Sequence, residues 1–242
     1  MGHEYLKLNF IFSNQLPFLT TFAEMTQLSK LSELLAYIFH PLNIPLMGLL
    51  LLMYLPGTPE SFLVADSFYH ISSDLKMMLL MLFGLFTWLA PLGTVIMLKR
   101  SGEISDLQMD ARQERHVPIS FMLFYFLVFF ALVQFYLPPN VIPKSTNSIL
   151  LGAAIGMLAA RIANRDIKLS LHALGMGMLT GAVYVYYNTL AVFPIWLMPS
   201  LFILSGIVVS SRIILQKHDL QQSLIGYVIG FAAQFVAGLI LS

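Results

Sequence analysis

Seven stretches of mostly apolar residues follow one another along this chain, and they constrain its fold more than any other feature. A helix needs roughly 20 apolar residues to cross a bilayer core about 30 Å thick, and these stretches are of that order. They cover residues 34–55, 75–98, 118–137, 148–163, 170–192, 195–215 and 221–241. We therefore predict an all-α fold, a polytopic transmembrane helical bundle of about seven spans.

The composition and the connecting segments agree with one membrane domain. Of the 242 residues, 58% are hydrophobic and only 10% are charged, whereas a soluble domain has about 25% charged residues. The longest connections, 56–74 and 99–117, are too short to hold a soluble domain. We predict an N-terminal interfacial or disordered segment at 1–32, without a signal peptide, and a membrane domain at 33–242.

The residue types that the chain lacks limit its chemistry. Cysteine is absent, which excludes disulfides, thiolate metal sites and a cysteine nucleophile. The sequence also shows no cluster of carboxylates of the kind that holds magnesium. We therefore expect neither a metal nor another cofactor, and we expect membrane lipids rather than nucleic acid as partners.

Lysine and arginine are divided unevenly between the two sides of the membrane. Seven crossings place eleven of the 13 basic residues on the side of the N-terminus, against Lys76 and Lys144 on the other. Because cytoplasmic loops carry the excess of positive charge, we predict that the N-terminal side is cytoplasmic. Four of these basic residues, Arg112, Arg115, Lys168 and Arg212, are candidate phosphate ligands, and removing them from the count still leaves seven against two.

Three polar loops that bear basic residues open on this same side, and the first precedes the third span. It contains Arg112 and Arg115, which a helical run would place on one face. Two guanidinium groups on one face offer forked donors to phosphate oxygens. The alternative is a solvated loop in which Asp110 and Glu114 are surface partners of the arginines.

The second and third loops add histidines. Lys168 and Ser170 lead into the fifth span, where a serine can cap the helix and the free amides favour an anion, and His172 follows within the membrane segment. Arg212 ends the sixth span and His218 precedes the seventh, so a tight hairpin would bring them together. A packing histidine and a simple basic loop are the alternatives for these two loops.

The spelling and order of the loops resemble the three motifs of the type 2 phosphatidic acid phosphatases, in a divergent branch of short bacterial membrane proteins. The third loop carries the best match, with Ser211-Arg212, five residues, His218, and then Gly226 and Gly230 downstream. The resemblance implies that His218 is a nucleophile and His172 a general acid. It also implies that the substrate phosphate is held by Arg112, Arg115, Lys168, Ser170 and Arg212.

The chain departs from the family pattern at positions that matter for catalysis. Gln222 stands four residues after His218, where the family has an aspartate; a glutamine can orient the imidazole but cannot neutralise it. Leu171 replaces a glycine, and the first motif lacks the family's spacing. His40, beside Pro41 in the first span, either lines the mouth of the site or packs between helices.

We predict from these patterns an integral membrane lipid phosphatase that hydrolyses a phosphate monoester or diphosphate of an isoprenoid or glycerolipid through a phosphohistidine. The tails of the substrate would stay in the bilayer. The expected location is a bacterial cytoplasmic membrane, with the motif face cytoplasmic. The alternative is a catalytically degenerate relative that binds lipid phosphate or acts as an assembly partner. A transporter is disfavoured because the ionisable residues crowd one end of the spans rather than their middle.

Overall fold

The computed structural model describes residues 22–59, 67–106, 109, 111–138 and 141–241. In these residues it contains eight helices and one pair of short strands. The helices are α1 (Phe22–Ile38), α2 (Ile44–Tyr54), α3 (Ser73–Arg100), α4 (Gln113–Tyr136), α5 (Ser145–Ala163), α6 (Leu171–Tyr187), α7 (Leu197–Ile214) and α8 (Leu220–Leu241). Strand β1 (Thr58–Pro59) pairs antiparallel with β2 (Leu190–Val192).

Five of these helices, α3, α4, α5, α7 and α8, are long and apolar enough to cross a membrane. The chain is thus an integral membrane protein, and in its described part the regular structure is helical apart from the small strand pair. Helix α1 begins at Phe22, so the predicted boundary between residues 32 and 33 falls inside a helix. Residues 1–21 of the predicted N-terminal segment lie outside the described residues.

The first predicted span differs from the structure, because it is divided between α1 and α2 by a break at residues 39–43. Pro41 and Pro45 lack the N–H that a continuous helix needs. The side-chain amide of Asn43 donates to the carbonyls of Tyr37 and Ile38 at 3.1 Å each, which satisfies the end of α1. The segment therefore consists of two short helices joined by a capped turn, rather than one continuous helix.

The fifth predicted span is shorter than expected. Helix α6 has 17 residues and ends at Tyr187, and the last part of the predicted stretch forms β2 instead. The π-helical turn Gly84–Leu89 inside α3 was also not predicted. The seven-span count is therefore supported for five helices, whereas α1, α2 and α6, with 17, 11 and 17 residues, are shorter than any of these five.

Helix α6 lies at the centre of the bundle and packs most extensively against α8. Gly226 allows this close approach, because an added Cβ would lie 2.8 Å from the Ser170 carbonyl oxygen; at Gly181 it would lie 2.8 Å from the Phe231 carbonyl oxygen. Small residues at membrane helix interfaces let backbones approach in this way. The contact brings the N-terminal ends of α6 and α8 side by side, where the Ser170 amide donates to the Gln222 carbonyl at 3.4 Å.

Candidate functional site

His218 lies in the hairpin between α7 and α8, at the end of the bundle where α4 and α6 also begin. Gln216 adopts a positive φ of 53°, and the Lys217 amide donates to the Arg212 carbonyl at 3.1 Å. The predicted tight hairpin is therefore present. The first turn of α8 is fixed by Asp219, whose Oδ1 accepts the Gln222 amide at 2.7 Å, as an N-cap residue does.

The imidazole of His218 is held in one orientation by two carbonyl oxygens. Its Nδ1 lies 3.0 Å from Gln222 Oε1 and 3.2 Å from the Lys168 carbonyl oxygen. A backbone carbonyl can only accept, so Nδ1 carries the hydrogen and donates to both oxygens. In the uncharged ring, Nε2 then holds the lone pair.

The surroundings of His218 favour the uncharged ring. The side chain is only 7% exposed, and burial lowers its pKa to about 4, with the positive charges of Arg115, Arg212 and Lys168 acting in the same direction. The hydrogen bond to Gln222 opposes this shift and is outweighed. Near neutral pH the residue is therefore a buried, uncharged imidazole among three cations.

Arg115 and Arg112 do not share one environment, although the sequence predicts that they share one face. Arg115 is 5% exposed, and its guanidinium donates from Nε to the Met109 carbonyl at 2.8 Å and from Nη1 to the Leu169 carbonyl at 3.0 Å. The bond to Leu169 attaches the start of α4 to the segment that precedes α6, and the bond to Met109 holds the loop before α4. Arg112 is half-buried, and within the described part of the chain it is not among the cations that act on His218.

Ser170 occupies the predicted N-cap position of α6. Its side chain is fully buried, and Oγ accepts the Ala173 amide at 3.4 Å. The hydroxyl oxygen thus satisfies one of the amides that a helix N-terminus leaves unpaired. Ser170 fixes the start of α6 beside His218 and Gln222.

His172 connects the site to the break between α1 and α2. Its Nε2 donates to the Ala36 carbonyl at 3.0 Å, which leaves Nδ1 as the second ring nitrogen available for proton exchange. The ring also meets His40 edge to face, with centroids 5.6 Å apart. Arg212 lies near enough for its positive charge to act on His40 and His172 as well as on His218.

Sequence reasoning did not identify the backbone carbonyls and the asparagine that hold these side chains in place. Asn164, which is 1% exposed, donates from Nδ2 to the Arg112 carbonyl at 3.0 Å. The sequence feature that could have indicated this contact is the position of Asn164, directly after an apolar span. The structure also adds His40 to the surroundings of the site. The sequence left two interpretations open for this residue, and the structure places its ring against that of His172.

The described residues bring together an anion-attracting group of cations and an uncharged imidazole at one end of the helices. They contain no group of three His, Asp or Glu side chains that could hold a metal ion. Such a site can bind a phosphate group and offers an imidazole that can attack it. Comparisons with protein-family models, curated proteins and solved structures find no match to this chain.

Proposed function

We propose that this protein is a membrane lipid phosphatase that uses His218 as its nucleophile. The observation that carries the proposal is the orientation of His218, whose Nδ1–H donates to Gln222 Oε1 and to the Lys168 carbonyl. This arrangement leaves Nε2 as the basic atom of an uncharged ring, and the neighbouring cations favour the approach of a phosphate.

In the proposed first step, Nε2 of His218 forms a bond to phosphorus while the bond from phosphorus to the ester oxygen of the lipid breaks. The negative charge of the bound phosphate favours His172 in its protonated form, with a hydrogen on each ring nitrogen. The departing oxygen takes the proton from Nδ1 and the lipid leaves as an alcohol, while Nε2 keeps its hydrogen bond to the Ala36 carbonyl. Arg115, Arg212 and Lys168 stabilise the charge of the transferred group. Two carbonyl oxygens at Nδ1 of His218 stabilise the positive charge that the ring gains.

In the second step, a water molecule attacks phosphorus and the bond to Nε2 breaks. His172 now accepts a proton from that water, which restores both histidines and releases inorganic phosphate. A diphosphate substrate follows the same course with a phosphorylated lipid as the leaving group. No step requires a metal ion.

The proposal includes the relationship to the type 2 phosphatidic acid phosphatases, in a bacterial cytoplasmic membrane, which the order of the three loops supports. In this proposal α1 with α2 forms one crossing and α6 another, in addition to the five long helices. The motif face is cytoplasmic, as the eleven basic residues on that side favour. Six of these helices would then form a core like that of the family.

A second candidate function is a non-catalytic lipid-phosphate binder, and two observations favour it. Gln222 offers His218 an amide rather than a carboxylate. In addition, Arg115 already donates from two of its nitrogens to backbone carbonyls. Both features suit a structural anion site at least as well as a fast enzyme.

The test measures phosphate release by the purified protein from phosphatidic acid and from a polyprenyl diphosphate, without added metal. His218→Asn is the informative variant, because its amide nitrogen can replace the Nδ1 donor but supplies no nucleophile. His70→Ala is the control, since His70 is exposed and lies near the opposite ends of the helices. We expect release by the wild type and the control and none by His218→Asn.

Release that persists in His218→Asn would overturn the proposal. If the folded wild type releases no phosphate but binds phosphatidic acid more tightly than phosphatidylcholine, the non-catalytic binder is correct. A radiolabelled phosphate that stays on the wild-type protein in base and is lost in acid would support the phosphohistidine directly.

A further inference from the structure

The end of α1 frees a backbone carbonyl that an uninterrupted helix would use. In such a helix the His40 amide would donate to the Ala36 carbonyl. Here the His40 amide donates to the Tyr37 carbonyl instead, at 3.3 Å. The Ala36 carbonyl is thus available to Nε2 of His172, which lies 3.0 Å from it. The break after α1 therefore supplies the acceptor that holds this histidine.

Asn43 caps the two carbonyls that follow Ala36. Its Nδ2 donates to the carbonyls of Tyr37 and Ile38 at 3.1 Å each. Pro41 has no N–H to offer to the Tyr37 carbonyl, so the cap replaces a bond that an α-helix could not make here. The cap satisfies these two carbonyls and leaves the Ala36 carbonyl as the acceptor for a side chain of another helix.

The π-helical turn of α3 orients this cap. Trp88 lies in that turn, and its Nε1 donates to Asn43 Oδ1 at 3.1 Å. An indole N–H can only donate, so the oxygen of the Asn43 amide faces Trp88 and the nitrogen faces the carbonyls of α1. Turns of π-helix occur frequently at functional sites. This hydrogen bond joins two irregular segments, the π-helical turn and the break after α1.

The break also places His40 against His172. The Leu42 amide donates to Nδ1 of His40 at 3.3 Å, which holds the His40 ring, and the two imidazoles meet edge to face with centroids 5.6 Å apart. One segment therefore holds His172 at two points, at Nε2 by the Ala36 carbonyl and at the ring by His40. This arrangement leaves Nδ1 of His172 as the nitrogen for proton exchange.

We propose that Asn43 is a positioning residue for His172: by holding the break after α1, it fixes the imidazole that donates a proton to the departing lipid oxygen. The catalytic consequence rests on the proposed function, whereas the orientation of the ring does not. A positioned proton donor matters most when the leaving group is strongly basic, as the oxygen of a lipid alcohol is. Loss of Asn43 should therefore slow the release of a lipid alcohol. It should leave the release of para-nitrophenol, which departs without a proton, almost unchanged.

Asn43→Leu tests the proposal, because leucine is similar in size but has no group that can donate to the carbonyls of α1. Asn188→Leu is the matched control, since Asn188 is exposed at the opposite end of α6. NMR of the nitrogen-15-labelled protein in nanodiscs measures how fast the Nε2 hydrogen of His172 exchanges with water, and His172→Gln identifies its signal. Phosphate release is measured from hexadecyl phosphate and from para-nitrophenyl phosphate. Thermal unfolding confirms that each variant is folded.

We expect the Nε2 hydrogen of His172 to exchange faster in Asn43→Leu than in the wild type and in Asn188→Leu. The kcat for hexadecyl phosphate should fall by about tenfold or more in Asn43→Leu, because small misplacements of a catalytic group are costly, while its KM and the kcat for para-nitrophenyl phosphate change little. Equal exchange in all three proteins would overturn the proposal, and so would a kcat that falls equally for both substrates or for neither. If Asn43→Leu does not fold, Trp88→Phe replaces it under the same criteria, because it removes the N–H that orients the Asn43 amide.

The two proposals fail separately. If exchange at His172 is faster in Asn43→Leu but no protein releases phosphate, the positioning of the ring stands and the phosphatase does not. If phosphate release depends on His218 but exchange and both kcat values are unchanged in Asn43→Leu, the phosphatase stands and the role of Asn43 does not.

Discussion

Gln222→Glu is the substitution that most directly tests how the site controls its histidine. The exchange replaces an amide oxygen by a carboxylate oxygen of the same reach, 3.0 Å from Nδ1 of His218. A negative charge at this position favours the protonated ring, so the His218 pKa must rise from its value of about 4. Gln221→Glu is the control, because it adds the same charge at the neighbouring, exposed position.

The size of the rise follows from the geometry. Opposite unit charges about 4 Å apart interact by about 4 kcal/mol at an effective dielectric constant near 20. Gln222 is half-buried, so the cost of desolvating a carboxylate removes much of this gain. A hydrogen bond to a charged group exceeds a neutral one by about 1 to 1.5 kcal/mol. We therefore expect a rise of about one pKa unit and, if the ring charges during catalysis, about a tenfold faster reaction.

The assay is a pH titration of the His218 ring nitrogens by NMR, with nitrogen-15-labelled histidine in nanodiscs. The wild-type ring should stay uncharged down to about pH 5, with its hydrogen on Nδ1. The reasoning is refuted if the wild-type ring titrates near 6.5. It is also refuted if Gln222→Glu changes the His218 pKa no more than Gln221→Glu does.

Three further predictions concern packing, the buried arginine and pH. Gly177→Leu should prevent stable folding, because even a Cβ there would overlap the Tyr227 carbonyl. Gly93→Leu is the control and should fold, because the space around Gly93 is open. Thermal unfolding compares the two variants. Arg115→Met should lower the free energy of unfolding by about 1 to 3 kcal/mol, since it leaves the buried Leu169 carbonyl and the partly buried Met109 carbonyl without their donors; denaturant titration measures this. The low pKa of His218 keeps its ring uncharged well below neutral pH. The rate of phosphate release that depends on His218 should therefore persist from pH 7 to pH 5 and decline only as the pH approaches 4. A pH–rate profile measures this.

Hydropathy predicted most of the fold, because an apolar run of sufficient length has few alternatives in a bilayer. It could not separate α1 from α2, since an average over many residues hides a break of five. The side chain of Asn43 makes that break stable by capping α1, and its partner carbonyls leave no mark in the sequence. Averaging of hydropathy also explains why the apolar stretch that forms α6 and β2 was predicted as one span.

The sequence predicted which loops meet but not how the side chains are held. The spacing of four residues between His218, just before α8, and Gln222, in its first turn, made their contact predictable. The second acceptor of His218 is the backbone carbonyl of Lys168. Every residue has a backbone carbonyl, so the residue type gives no indication of which one accepts this hydrogen bond. Arg115 shows the same limit: its charge marked it as a phosphate ligand, whereas its hydrogen bonds give it a structural role as well.

The glycine contact between α6 and α8 has a consequence for biosynthesis. Helix α6 leaves the ribosome before α8, so the face of α6 around Gly177 and Gly181 is uncovered until α8 enters the membrane. Until then the Ser170 amide and the Lys168 carbonyl lack the contacts that Gln222 and His218 provide, and the imidazole of His218 has no fixed direction. The site is therefore assembled only when α8 packs against α6, late in the synthesis of the chain.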